Sequence, residues 1–276
     1  MSSFEPYLRQ DRLTDPGTLA TLFDGLPDDP PKLCELVSRL IVHVAWAASY
    51  GIPLDTPMPR ETLPVATRLA LIQSALRAPL TTPRLPEQRT FGTCRDYSLM
   101  LTAMLRQRAI PARVRCGFAT YFTSAPYEDH WICEYWAAAQ GRWVRADAQI
   151  DERLREQLGV SFDCADLPEQ AFLPAGQAWQ LARSGSVDPD MFGHGNDRGW
   201  WFLRVNVHRD LLALTNQQTS AWDGWRGSTA ESQQLTPSAF ATVDRIATAS
   251  AAVDSPDQAG ILEGLAAANQ TPPWQA

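Results

Sequence analysis

Three residues in one order could carry covalent chemistry: a cysteine at 94, a histidine at 130 and an aspartate at 147. A thiolate attacks a carbonyl carbon, an imidazole moves the proton, and a carboxylate holds the imidazole in one tautomer. Cys94 follows Gly92-Thr93 and heads the apolar run that starts at Tyr97. Thr93 is a good N-cap, and Asp96, three residues on, makes a weak form of the capping box. Cys94 is therefore expected in the first turn of a helix. There the unpaired N–H groups and the positive end of the helix dipole favour thiolate, the reactive species. The same N–H groups suit the oxyanion of a tetrahedral intermediate. The bland alternative is a buried, inert cysteine.

His130 opens the strand-like stretch His130–Trp136, and Asp147 ends the stretch Arg142–Asp147. Pairing around a turn centred near residues 138 and 139 would set His130 across from Asp147, with Cβ atoms roughly 4.5–5.5 Å apart. A slip of one residue removes the match. Taken singly, His130 reads as well as a structural strand histidine, and Asp147 as a strand-end carboxylate. The joint order of helix-start cysteine, strand histidine and aspartate across a hairpin favours acyl transfer. Glu134 shares a strand face with His130, where it is a candidate to tune the site or meet substrate, and the favoured reading is that it pairs with an arginine. Cys133 alternates to the other face. Cys116, Cys133 and Cys164 read as core or strand residues. Arg95 and Asp96 could contact substrate but read first as capping and surface-pairing residues, and His194, in a substrate-contact loop or a turn, reads first as part of a turn.

Elements must bring these side chains into place. Residues 32–50 repeat apolar positions at three- and four-residue steps, which predicts one core helix ended at Gly51. Further helices are expected over about 61–78 and 94–108, with a loop at 79–93. From Pro111 the period changes to two, and three antiparallel strands follow, with Gly141 in the hairpin turn. Beyond residue 151 helices are expected at about 169–183, 198–216, 237–251 and 257–268. The stretch Gly199–Asn216 reads as a core helix, and the tail from Asn269 as frayed or an arm. The division implied is an N-terminal arm (1–31), a core (32–151) and a helical extension (152–276) packed on that core. The extension is where a cap over the cleft would lie.

The 276 residues include 45% hydrophobic and 20% charged side chains, enough for a sizeable core. A net charge of −7 argues against nucleic-acid or anionic-membrane partners. No secretory leader and no membrane-spanning apolar stretch is seen, so a cytoplasmic protein is expected. Five scattered cysteines do not read as a disulfide framework, and with four separated histidines they offer no zinc spacing.

The motifs Gly92-Thr93-Cys94, Arg108–Phe118 with its Ile110-Pro111-Ala112-Arg113, His130–Glu134 and Trp143–Asp147 together resemble the transglutaminase-like superfamily, relatives of papain-type cysteine enzymes. The resemblance covers about residues 60–150. It implies an α+β fold in which a catalytic helix packs on a small antiparallel sheet, with Cys94 as nucleophile, His130 as base and Asp147 as orienter. It also departs from the pattern. Ala109 stands where a glycine is usual, Ile132 where an aromatic is common, and Ala148-Gln149 where Pro-Thr is usual. Two short stretches also look a little like the peptide N-glycanase branch, but its zinc-binding cysteine pairs are missing. For the second oxyanion donor the resemblance offers Gln88, six residues before Cys94, and Trp46, the sole tryptophan upstream of it. No cofactor or metal is implied, and no acidic calcium loop is present. The implied partner is a peptide-like or other amide-containing substrate, with an amine acceptor as a possible second one. Hydrolysis, amine transfer in cross-linking or biosynthesis, and a non-catalytic binding module with the same fold are the three readings left open.

Overall fold

The computed structural model describes residues 4–53, 55–255 and 258–275. In chain order its helices are α1 (Glu5–Leu8), α2 (Pro30–Ser38), α3 (Val65–Ala75), α4 (Cys94–Gln107), α5 (Glu152–Leu158), α6 (Ala175–Arg183), α7 (Trp200–Leu214), α8 (Pro237–Ala251) and α9 (Gln258–Ala268). The strands are β1 (Ile41–His43), β2 (Thr90–Gly92), β3 (Ala112–Ala119), β4 (Tyr127–Ala137), β5 (Arg142–Ala146), β6 (Phe172–Pro174), β7 (Phe192–His194) and β8 (Asp197–Arg198). The fold is α+β. The chain forms two compact units, Tyr7–Val114 with Ile132–Pro168, and Met1–Pro6 with Arg115–Trp131 and Glu169–Ala276. Both β3 and β4 run from one unit into the other.

The first of these units holds α4, whose residues from Arg95 to Arg106 are all buried. Tyr97 donates its hydroxyl to the Ile41 carbonyl at 2.9 Å and so ties α4 to β1. β1 lies parallel to β2, with Ile41 beside Thr90 and His43 beside Gly92. This overturns the single helix expected at 32–50. The helix ends at Ser38, and the β-branched pair Ile41-Val42 leaves it for the strand. A 3₁₀ run from Val44 to Tyr50 follows, closed by Gly51 at φ 76°. The expected loop at 79–93 likewise contains β2, which pairs with the distant β1. The helix expected at 61–78 is shorter, Val65–Ala75.

In the other unit β3, β4, β6, β7 and β8 form a sheet in the order β6-β3-β4-β7-β8. β7 joins β4 in parallel and turns through Gly195-Asn196 into β8. These short strands have no readable alternation, and the sequence shows only the turn. Helices α6 to α9 pack around a core that includes Trp179, Phe202, Leu211, Val243 and Ile246. α7 is buried along its length from Phe202 to Leu214. Its polar residues are paired: Asp210 accepts two bonds from the Arg115 guanidinium, each 2.9 Å, and a third from the Cys116 N–H. The C-terminal tail is docked, as an arm. Trp274 meets Trp222 edge-on, and Trp222 donates to the Gln270 carbonyl at 3.2 Å. Among the described residues no helix is long and apolar enough to cross a membrane.

Two expected outcomes test this packing. Ala109 holds φ 55°, the left-handed region where a Cβ is disfavoured. Ala109→Gly should therefore raise the unfolding free energy by about 0.5–1 kcal/mol, less than the full steric penalty because glycine also loosens the unfolded chain. The urea midpoint would move up at constant slope. His208 stacks on Trp222 and donates from Nδ1 to the Arg204 carbonyl. Burial pulls its pKa from 6.5 down to about 4. Above pH 6.5 the imidazole is neutral in both states and its contribution is full. As pH falls toward 4 the unfolded chain gains a proton that the folded protein refuses, so stability drops by up to about 3 kcal/mol. In thermal melts His208→Phe should lose less stability than wild type over that interval. Parallel curves would contradict the assignment.

Candidate active site

Cys94 occupies the first turn of α4, with Thr93 as N-cap. Thr93 is held by Asp96, whose Oδ2 accepts the Thr93 N–H at 2.8 Å and its hydroxyl at 3.2 Å. The expected pairing of Asp96 at the surface is not what forms. Its carboxylate is buried, and Oδ1 takes the Arg68 guanidinium at 2.6 Å and the Leu63 N–H at 3.2 Å. Arg68 is buried too, and also donates to the Phe91 carbonyl at 2.8 Å and the Thr90 hydroxyl at 3.1 Å. One ion pair therefore joins α3, β2 and the start of α4. The sequence carried a sign of it: Arg68 stands on the apolar face of α3 with Val65, Leu69 and Ile72. Gly92 is required by close approach. A Cβ there would lie 2.9 Å from Asp96 Oδ2 and 3.2 Å from the guanidinium.

Cys94 alone among the five cysteines is partly exposed; the others are buried. Burial pushes the thiols of Cys133 and Cys164 up to about 12 and raises Cys34 as well, with the Asp147 charge adding to the effect on Cys34 and Cys164. A thiol held protonated is a poor nucleophile.

Asp147 is buried one residue beyond β5. Its N–H donates to the Cys164 carbonyl at 2.8 Å, and Oδ1 accepts the Gln149 N–H at 2.9 Å. The register of β4 and β5 pairs Cys133 with Ala146 and Ala137 with Arg142. The turn lies one residue later than the expected centre, with Gly141 at φ 64°. Continued one step, that register sets Asp147 across from Ile132, and the expected cross-strand pairing of His130 with Asp147 is corrected. His130 is two residues along from Ile132 and shares its face. Around His130 stand the rings of Phe122 and Tyr121, at centroid distances of 4.9 and 5.9 Å. The imidazole is buried.

The remaining candidates have other partners. Glu134 takes Arg113 at 2.8 Å and Arg145 at 3.2 Å, the ion pairing expected of it. Arg113 in turn lies 3.9 Å over the Trp143 ring. Gln88 accepts the Leu85 N–H at 3.0 Å and closes its own turn. Trp46 lies half-buried in the 3₁₀ run that follows β1. His194 is in the β7–β8 turn region and pairs with Glu128 at 2.5 Å, which raises its pKa. Among the described residues no three His, Cys, Asp or Glu side chains gather as a metal site requires.

Residues 78–148 match the family model of the transglutaminase-like superfamily. This segment is similar to a transglutaminase-like core. It contains Cys94, His130 and Asp147 and covers about a quarter of the 276 residues. A crystal structure from Cytophaga hutchinsonii, described as a putative cysteine protease, is similar at 18% identity and a TM-score of 0.35. That similarity spans 54% of this chain and 43% of the other, less than half of the neighbour's length. No curated protein matches the chain.

The buried pair beside Cys94 makes a direct test. Asp96→Ala strands the Arg68 charge and removes the cap, so a loss of about 3–5 kcal/mol in urea unfolding is expected. A loss below about 1 kcal/mol would mean that the pair does not hold the start of α4.

Proposed function

We propose that this protein is a cysteine-dependent acyl-transfer enzyme that acts on a peptide-like amide. Cys94 is its nucleophile, His130 its base and Asp147 the orienter of the imidazole. The observation that carries the reading is the partial exposure of Cys94, alone among five cysteines, in the first turn of α4. The transglutaminase-like match over 78–148 supports it, because all three residues lie within that segment.

In the first half-reaction the Cys94 sulfur attacks the amide carbon, forming a C–S bond. The carbonyl electrons move to oxygen, where N–H groups of the helix start stabilise the charge. As the electrons return, the C–N bond breaks and His130 gives its proton to the leaving amine. In the second half-reaction water, or an amine, attacks the thioester. His130 takes the proton of the attacking group, the C–S bond breaks, and the thiolate is regenerated. Hydrolysis is the primary reading.

The test is alkylation of Cys94 by iodoacetamide across pH, with product analysis on amide substrates. Wild type should react readily near neutral pH, and His130→Ala only in more alkaline medium. Cys94→Ala should abolish turnover, and His130→Ala should lower it about 10²–10⁴-fold. Carboxylic acid formed in water alone supports the hydrolase, whereas product formed only with an added amine marks a transferase. An inert Cys94, or one indifferent to His130, would leave a binding module in place of an enzyme.

A further inference from the structure

His130 is flanked on β4 by Asp129 and Trp131, whose side chains point to the opposite face of the strand. Both meet one guanidinium. Arg209 Nη1 lies 3.2 Å from Asp129 Oδ2 and 3.3 Å from Oδ1. The Arg209 carbon centre sits 4.8 Å over the Trp131 ring. Asn206, one turn earlier on α7, donates to Asp129 at 2.9 Å and accepts from Arg209 at 2.8 Å. The far side of the guanidinium reaches Asp223 at 3.2 Å. Arg209 and Asp129 are 8% and 11% exposed at their side chains, so solvent screens the pair weakly.

We propose that Arg209 is a positioning residue for His130, acting through the two neighbours it clamps. This rests on His130 being the base of the proposed reaction. The physical argument is a lever. A strand residue's side chain points where its peptide planes direct it, and those planes are fixed by the residues on either side. An imidazole nitrogen lies several ångströms from its Cα, so a small rotation of the strand moves it by a large fraction of an ångström. A displacement of about 1 Å can lower a reaction rate about 10²-fold. An ion pair to Asp129 alone would leave the strand free to roll about that contact. The second hold, on Trp131, removes this freedom. Only a planar, forked cation can do both, by donating at its edge and stacking by its face. Helix α7 thus has a task in the chemistry although no residue of it need touch the substrate.

The experiment compares the pH profile of Cys94 alkylation in the full chain for wild type, His130→Ala, Arg209→Lys, Arg209→Met and Asp244→Asn, with Cys94→Ala as the blank. Asp244→Asn weakens a different pair of the same unit, Arg183–Asp244, and controls for lost stability alone. Arg209→Lys keeps the charge but loses the fork and the stack, and serves if Arg209→Met does not fold. The expected result is that the Arg209 variants react about 10-fold more slowly near neutral pH. Their profiles should move toward that of His130→Ala, while Asp244→Asn follows wild type. If His130→Ala shifts the profile and folded Arg209→Lys does not, the positioning role is wrong and the base stands. If His130→Ala itself leaves the profile unchanged, the base assignment fails and the role of Arg209 falls with it. If Asp244→Asn shifts as far as Arg209→Lys, general loosening explains the effect and the proposal is overturned.

Discussion

The start of α4 depends on the buried pair between Arg68 and Asp96. A carboxylate and a guanidinium, both out of water, are tolerated only when their remaining hydrogen-bonding capacity is filled. Here Asp96 takes the Thr93 N–H and hydroxyl and the Leu63 N–H, and Arg68 Nη1 donates to Thr90 and Phe91, so that most of this capacity is filled and only the guanidinium Nε has no partner. The pair thereby fixes three segments at once: the approach to α3, the strand β2 and the first turn of α4. Gly92 is part of the same arrangement, since any side chain there would press on the carboxylate. The sequence Gly-Thr-Cys-Arg-Asp follows from this. Glycine gives room, threonine caps, aspartate anchors, and the cysteine between them stays partly exposed.

Local signals were readable where local physics decides the outcome. Thr93 and Asp96 mark the start of α4, because a cap is satisfied within four residues. Gly51 and Gly141 mark a helix end and a hairpin turn, because both need a positive φ. The expectations that failed depend on partners far along the chain. Residues 32–50 carry a helical period, yet Ile41 and Val42 become a strand because Thr90 and Phe91 offer them a parallel edge. Nothing within a helical window encodes that partner. The hairpin of β4 and β5 was recognised, but its register was displaced. Turn composition narrows the loop to a few residues without choosing among adjacent pairings. Parity was less critical here than distance: the displacement leaves Asp147 across from a residue on the same face as His130, two positions away.

Arginines were the least legible part of the site. Arg68, Arg113 and Arg209 each occupy positions that a binary apolar–polar pattern treats as surface, and each is buried against carboxylates. The clue is conflict. An arginine that falls on an otherwise apolar stripe needs a buried anion, and the chain must supply one. Asp96, Glu134 and Asp129 are those anions, and each adjoins or lies near a residue of the proposed chemistry. Such pairs contribute little net stability compared with an apolar core. Their value is angular: a forked cation accepts a carboxylate in few orientations, so the backbone that carries the carboxylate is held in few orientations as well.

The five cysteines show how environment separates one side-chain type into two chemical fates. Cys34, Cys133 and Cys164 are buried where water cannot solvate a thiolate, and the Asp147 charge makes it worse for Cys34 and Cys164. They stay protonated and serve as small apolar core residues. Cys94 differs in two respects that reinforce each other. Partial exposure gives an electrophile access, and the sulfur sits in the first turn of α4, at the positive end of the helix dipole, a field that a buried sulfur elsewhere lacks. Neither feature is sufficient. An exposed cysteine on a helix flank would meet no oxyanion donors, and a helix-start cysteine sealed in the core would meet no substrate. The fold buries four thiols and leaves the fifth partly exposed at the head of α4. An electrophile that discriminates among the five would therefore report the site directly.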